Sequence, residues 1–370
     1  MSILRKYLPP LASDFSGVAS ILFGMNSLNI MYSPGSCDGP IVEVDEIRDL
    51  NNRNFFTTKL NDVDIVVGIE KKLIKALGDR DLSEFDFISL LGTPITNLTG
   101  VSLGRICSNL EREFHIPVMF FETSGFESYP IGVSEGLLKL GEKLIDRFVN
   151  NIPTVDEVNI IGYTPLVLGD EGHLRELITL LEENAFAVNI FGGSEVNFNS
   201  MQLSSRAKLN IVISEEGMAL AQLLKERYGI PYILELPVGI AEMHSFVKGI
   251  EKMLSITIKG KAHLEYKINH DKVITNKNVL IIGEPFVSLA IKKCLQKDFG
   301  IKDISIISNI QKHTKSQTLF LADRYEEVKC LESEAQIAED MGLADILIAD
   351  PLYERFLPHH SKIKFISVPN

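Results

Sequence analysis

An α/β fold of three units in series, each a parallel sheet flanked by helices, follows from three observations. Short apolar runs rich in Val and Ile alternate along the chain with amphipathic stretches of helical length, the pattern of strand–crossover–strand units. The chain has 370 residues, too many for one hydrophobic core. Its apolar content of 45% is that of a globular protein and not of a disordered one.

The elements follow in order. In the first unit, residues 1–150, Asp64-Ile65-Val66-Val67-Gly68 reads as a short strand leading into a helix over 70–78. A buried strand is predicted over 85–91, a helix over 101–114, a strand over 117–121 and a long amphipathic helix over 134–149. The second unit, 151–258, begins after Asn150-Asn151-Ile152-Pro153; its strands fall at 158–163, 187–191, 209–214 and 232–236, with helices at 173–184 and 217–228. A polar linker around 259–277 opens the third unit, 259–370, with strands at 278–283, 304–308, 346–350 and 363–366 and a helix over 286–298. All three units are thus Rossmann-like, yet none carries Gly-x-Gly-x-x-Gly or a P-loop after its first strand. Gly283-Glu284-Pro285 puts an acid and a proline where a dinucleotide needs backbone N–H groups, which disfavours nucleotide binding.

Composition excludes several roles. A net charge of −12 opposes general nucleic-acid binding, which needs a basic face. No stretch approaches the roughly 18–20 apolar residues of a spanning helix, so no membrane association is expected. Residues 1–10 hold Arg5 and Lys6 with no long apolar core behind them, which does not read as a signal peptide. The four cysteines, Cys37, Cys107, Cys294 and Cys330, are scattered without a Cys-x-x-Cys pair. That usage suits a reducing cytoplasm and excludes both a disulfide framework and a self-contained zinc site. Cys107 and Cys294 lie on apolar helix stripes and read as core residues; Cys330 sits in a charged segment.

The most informative stretch is Ser33-Pro34-Gly35-Ser36-Cys37-Asp38-Gly39-Pro40. Gly35 and Gly39 let the backbone approach a large group, and neighbouring N–H groups can point at sulfide or phosphate. A Cys37 thiolate there is a soft ligand of the kind that holds iron–sulfur clusters, whereas an ordinary Gly/Pro turn with an incidental thiol accounts for the same residues. Asp45-Glu46-Ile47-Arg48 follows and reads most simply as a solvated turn. After the strand at 209–214, Ser214-Glu215-Glu216-Gly217 stands at a carboxyl strand end, where a Rossmann-like unit opens its cleft.

The order of short phrases resembles the nitrogenase component 1 family and its relatives, which include dark-operative protochlorophyllide reductase and nitrogenase-like tetrapyrrole reductases. The stretch 33–40 resembles the family's cluster-ligating Gly-Pro-x-Gly-Cys turn, and Gly68-Ile69-Glu70-Lys71-Lys72-Leu73 its Gly-x-Glu-Lys-Leu helix start. Gly92-Thr93-Pro94 through Gly100 is similar to its Cys-Pro…Ile-Gly-Asp-Asp loop. Ile116-Pro117-Val118 with Thr123-Ser124-Gly125-Phe126 resembles Ile-Pro-Val…Thr-Pro-Gly-Phe, and Val158-Asn159-Ile160-Ile161-Gly162 resembles Val-Asn-Ile-Leu-Gly. Two more phrases, 207–212 and 228–232, keep the order, so the resemblance spans nearly the whole chain, with a truncated third unit.

The departures bear on function. Cys37 keeps one cluster-ligand position, but the loop at Gly92-Thr93-Pro94 and the position near Phe23-Gly24 hold no thiol. Ser214 stands where nitrogenase anchors its iron–molybdenum cofactor with a cysteine, so that cofactor and dinitrogen reduction are not expected. The resemblance implies an oxidoreductase fed by an ATP-dependent iron–sulfur reductase. Its cluster, a [4Fe-4S] bridging a homodimer or a heterodimer with a second component 1-like subunit, would be held by Cys37 with Asp38, in the turn of Gly35 and Gly39. Thr93, Ser214 and Glu215 are expected to line the cleft of an unassigned substrate other than dinitrogen. The alternative is a non-catalytic scaffold, carrier or partner subunit that has lost most metal ligands.

Overall fold

The computed structural model describes residues 8, 12–35, 45–48, 55–145, 156–194, 196, 198–259, 277–309, 322–331, 333–358 and 360–368. Strands that are apolar throughout rather than alternating belong to sheets covered on both faces, and such sheets are parallel. The first sheet contains β1 (Ser27–Met31), β2 (Phe55–Thr57), β3 (Phe87–Leu91) and β4 (Val118–Phe121), ordered β2-β1-β3-β4. Its two central strands are buried at every residue, with Met31 registered against both Thr57 and Leu91. Helices α1 (Asp14–Leu22), α2 (Asp62–Val67), α3 (Glu70–Gly78), α4 (Pro94–Thr99), α5 (Leu103–Phe114) and α6 (Tyr129–Leu144) accompany it.

The second sheet, β5 (Asp156–Ile161), β6 (Phe186–Ile190), β7 (Leu209–Val212) and β8 (Tyr232–Leu234), is ordered β6-β5-β7-β8. With it run α7 (Pro165–Leu168), α8 (Arg175–Glu183), α9 (Phe198–Leu203), α10 (Met218–Tyr228) and α11 (Ile240–Leu254). The third sheet has five strands, β9 (Val279–Ile282), β10 (Ile304–Ser308), β11 (Val328–Cys330), β12 (Ile346–Ala349) and β13 (Lys364–Ser367), ordered β11-β10-β9-β12-β13. Helix α12 (Pro285–Phe299) and the helix Glu334–Met341 cover it. Every strand pair in the three sheets is parallel, so the expected α/β class with three flanked parallel sheets is what the chain forms.

The first two sheets share one apolar core through α1, α6 and α10, with Leu137, Leu140, Leu220 and Leu224 among its buried members. Helices α1 and α6 cross at glycines. A Cβ on Gly17 would strike the Tyr129 carbonyl and one on Gly132 the Asp14 carbonyl, so the backbones touch. The third sheet joins through α11 and α12. The Asp298 carboxylate accepts from Ile240 N (2.7 Å) and Ala241 N (3.1 Å), capping α11 from the neighbouring helix, while Glu242 pairs with Lys293 (3.6 Å) and Lys297.

Three expectations are corrected. The run 64–68 is not a strand: Asp62–Val67 is the helix α2, started by a capping box between Asn61 and Asp64. Its β-branched residues are solvent-exposed, so no sheet recruits them. The helix expected over 134–149 starts earlier, at Tyr129, because Pro130 in the first turn is compatible with a helix start. The charged run 45–48 is not a solvated turn. Asp45 accepts from Ser16 Oγ (2.6 Å), Glu46 accepts from Ser20 Oγ (2.8 Å), and only Ile47 projects outward. Arg48 pairs with Glu46 (2.8 Å), donates to the carbonyls of Ser20 (2.7 Å) and Gly192 (3.0 Å), and lies over the Phe23 ring.

Candidate functional site

Each sheet reverses its strand order once, between β1 and β3, between β5 and β7, and between β9 and β12. Ligands of open parallel sheets bind outside the carboxyl ends of the strands at such switch points. The chain furnishes the first two in the same way. Two residues after β3, Thr93 Oγ1 donates to the carbonyl of Tyr32, the residue after β1 (2.7 Å). Two residues after β7, Ser214 Oγ donates to the carbonyl of Gly162, the residue after β5 (2.8 Å). Thr93 and Ser214 are both enclosed, and both are ties between strand ends.

The first switch point carries the base of the 33–40 turn. Ser33 N donates to Thr58 Oγ1 (2.9 Å), whose hydroxyl donates back to the Ser33 carbonyl (3.0 Å). Gly35 N donates to Ser33 Oγ (3.1 Å), and Gly35 adopts a φ of 99°, a conformation that any side chain would strain. Cys37, Asp38 and Gly39 lie outside the described residues. Burial, with Asp64 nearby, raises the Tyr32 phenol. Around this end of the sheet stand exposed apolar side chains: Val63, Val66 and Val67 on α2, Leu98 on α4, and Phe126 after β4.

The second and third sheets contribute a group of acids. Glu215 and Glu216 follow Ser214 in the turn that starts α10, and Glu284 is the N-cap of α12, accepting from Val287 N (2.8 Å). Helix N-termini favour carboxylates, yet burial outweighs them here. Burial pushes Glu215 up to about 7, with Glu216 adding to the rise and the contact with Tyr325 opposing it. Burial and then the charge of Glu216 push Glu284 up to about 8 against its backbone hydrogen bonds. Glu216, fully enclosed, is raised by burial as well, with Ser214 beside it acting in the other direction. Tyr325 precedes β11; burial and the facing Glu284 and Glu215 raise its phenol. Its hydroxyl and Glu215 Oε1 are both buried without a well-formed hydrogen bond.

Sequence reasoning thus marks Ser214 and Glu215 together at one strand end and Thr93 in a loop of the first unit, and the structure sets Thr93 at the equivalent point of the first sheet. It misses Glu284 and Tyr325 as members of the acid group. The signal that could have found Glu284 is the repetition of an acid just past an apolar strand, Ser214-Glu215-Glu216 and then Gly283-Glu284. The remaining thiols are bland: Cys107 is buried and pushed up to about 12, Cys294 lies beside Asp298 and is pushed up to about 11, and Cys330 is half-buried on β11. Among the described residues no three His, Cys, Asp or Glu side chains converge on one metal position, and no helix is long and apolar enough to cross a membrane.

Three serial parallel sheets, each with one reversal of strand order, define an open α/β protein of the Rossmann-like kind. The chain belongs to the nitrogenase component 1 type oxidoreductase family, which matches residues 25–365. It is 27% identical over 263 residues to the nitrogenase iron-molybdenum cofactor biosynthesis protein NifE of Rippkaea orientalis, covering 69% of this chain and 53% of that protein. It is 27% identical over 182 residues to a subunit of the light-independent protochlorophyllide reductase of Adiantum capillus-veneris, covering 44% of this chain and 35% of that one. The chain therefore spans about half the length, or less, of these curated relatives. Its fold superimposes on a solved nitrogenase structure, "Nitrogenase Cp1 at pH 6.5", with a TM-score of 0.77 at 14% identity over 100% of this chain and 88% of the other.

Proposed function

We propose that the chain is an electron-transfer oxidoreductase subunit that takes electrons at the 33–40 turn from an ATP-dependent iron–sulfur reductase and reduces an unsaturated substrate other than dinitrogen. The observation that carries this reading is the built base of the turn at the first switch point, with Gly35 at positive φ and the Ser33 backbone held by Thr58. Cys37 and Asp38 are the residues that would hold an iron–sulfur cluster, in a homodimer or beside a second component 1-like subunit. When bound, such a cluster supplies single electrons at a potential set by its ligands and exposure. The rim of Val66, Val67, Leu98 and Phe126 suits a subunit contact around that turn.

The iron–molybdenum cofactor is a different matter. Ser214 presents a hydroxyl already committed to the Gly162 carbonyl, and its neighbours are carboxyl groups. That donor set does not fit a soft iron–sulfur cofactor. The substrate side of the reading rests on the protein's own groups: Glu215 and Glu284, raised to about 7 and about 8, are placed to hold protons for a bound substrate.

The likeness to NifE favours a second reading, a non-catalytic scaffold or carrier. Iron and acid-labile sulfide are measured in anaerobically purified protein alongside its mass in solution, for wild type and Cys37→Ser. About four irons per dimer, lost in the variant, support the electron-transfer reading. No iron in folded wild-type protein moves the assignment to the scaffold.

A further inference from the structure

One face of the first sheet holds a hollow of about 190 Å³, between α3 and the strands β1 and β2. Leu28 and Ile30 alternate onto that face of β1, and Phe56, in register with Ile30, continues it onto β2. Leu73 and Leu77 of α3 pack into the core beside Leu28 and Ile30. Ala76 lies on the same wall but ends in a methyl, and Phe56 opposite stays 37% exposed. β2 is three residues long and stands at the edge of its sheet, so among the described residues no further strand closes that side.

The charge around this hollow is opposite in sign to that of the chain. Its described lining includes two cations, Lys72 and Arg80, and no acid, although the chain carries a net charge of −12. Lys72 is shared with Asp64 (2.8 Å). The Arg80 guanidinium lies over the Phe56 ring, 4.3 Å from its centroid, and has no hydrogen bond or ion pair among the described residues. Stacking on a ring leaves the N–H edge of a guanidinium free, and that planar fork matches a carboxylate. An apolar cavity of about 150 Å³ is enough to take up benzene, so this hollow has room for one ring.

We propose that the hollow between α3 and β2 binds a small apolar carboxylate of about the size of benzoate. Its body rests on Phe56, Ile30 and Leu73 in the space that Ala76 leaves. Its carboxylate accepts from the Arg80 guanidinium, and Lys72 adds positive charge at the mouth. A neutral ligand of the same shape leaves the Arg80 fork unmet, and an inorganic anion gains nothing from the apolar floor. Thr58, another lining residue, is the residue that ties Ser33, so the site adjoins the base of the 33–40 turn. The site is independent of the electron-transfer reading, because binding there needs neither a cluster nor an electron donor.

The test is a fluorine NMR titration of the purified chain with 4-fluorobenzoate and, as its neutral match, 4-fluorobenzamide. The benzoate is expected to bind about tenfold more tightly than the amide, the difference that one charge-assisted contact makes. Arg80→Gln should remove that difference and leave the amide unchanged. Ala76→Leu, at an exposed helix position that suits leucine, should fill the hollow and abolish binding of both while the thermal melt is unchanged. Neither probe binding at millimolar concentration, or equal binding of both to the wild type, overturns the proposal. Arg80→Gln without effect overturns the carboxylate's partner, and Ala76→Leu without effect overturns the site.

Discussion

Glu215 and Glu284 link the acid group to stability. In the unfolded chain both titrate at the ordinary carboxylate value near 4.5, whereas in the fold burial raises them to about 7 and about 8. A raised folded pKa means that the native state holds protons that the unfolded state has lost. The contribution is fully present below pH 4.5 and disappears as pH rises through 7 to 8. For Glu215 alone the difference is on the order of 3 kcal/mol. Urea unfolding of wild-type protein is expected to show stability falling from pH 5 to pH 9, and Glu215→Gln with Glu284→Gln should flatten that slope. An unchanged slope in the double variant would place the protons elsewhere. These residues were legible only in part. A strand end followed by Glu215 is visible in the chain, but that Glu284 and Tyr325 face it depends on how two sheets are set against each other.

Among the elements, local signals and neighbours divide the work. Helix α4 starts where Thr93 and Pro94 announce it and stops at Gly100 in the left-handed conformation. Helix α12 has the same logic in Glu284, Pro285 and Gly300. The α2 segment reads as a strand from Ile65-Val66-Val67, because a β-branched run weighs more in a pattern than one cap does. The Asn61–Asp64 capping box and the absence of a neighbouring strand among the described residues reverse that weight. The α1–α6 crossing is the most exacting contact between elements. Gly132→Ala drives a methyl into the Asp14 carbonyl, so the helices must separate, at a cost of about 1–3 kcal/mol. The midpoint of denaturant unfolding measures it; Gly136→Ala, whose close contact is with the flexible end of Ile21, should cost less.

Across the whole molecule, the charged stretch 45–48 acts as a clamp. Arg48 joins Glu46, the end of α1 and the Gly192 carbonyl after β6, and so ties the first sheet's helices to the second sheet. Removing the guanidinium leaves Glu46, whose side chain is 1% exposed, without its cation. Arg48→Ala is therefore expected to cost about 3–5 kcal/mol in unfolding free energy, more than Arg48→Ala with Glu46→Gln. The apolar rim around the 33–40 turn makes a second prediction for the molecule as a whole. If it is the subunit contact proposed above, Val66→Asp with Phe126→Ser should lower the mass in solution toward one chain without loss of thermal stability, because both side chains are exposed in the single chain. A mass already that of one chain in wild type removes the contact.

Alternating apolar runs and short phrases in order are local properties, so the α/β class, the three serial sheets and the family could be read from the chain before any packing was known. The same local reading marked Ser214 and Glu215 at a strand end and put Thr93 in a loop, where the structure starts α4. Packing was needed to make Thr93 and Ser214 equivalent ties at two switch points and Arg48 a buried clamp. It was needed again to close Glu216, Glu284 and Tyr325 around Glu215. Strand and helix propensity are summed over neighbours in sequence. Burial, charge repulsion and hydrogen-bond partnership instead arise here between residues about 40 to 110 positions apart, once the sheets have packed.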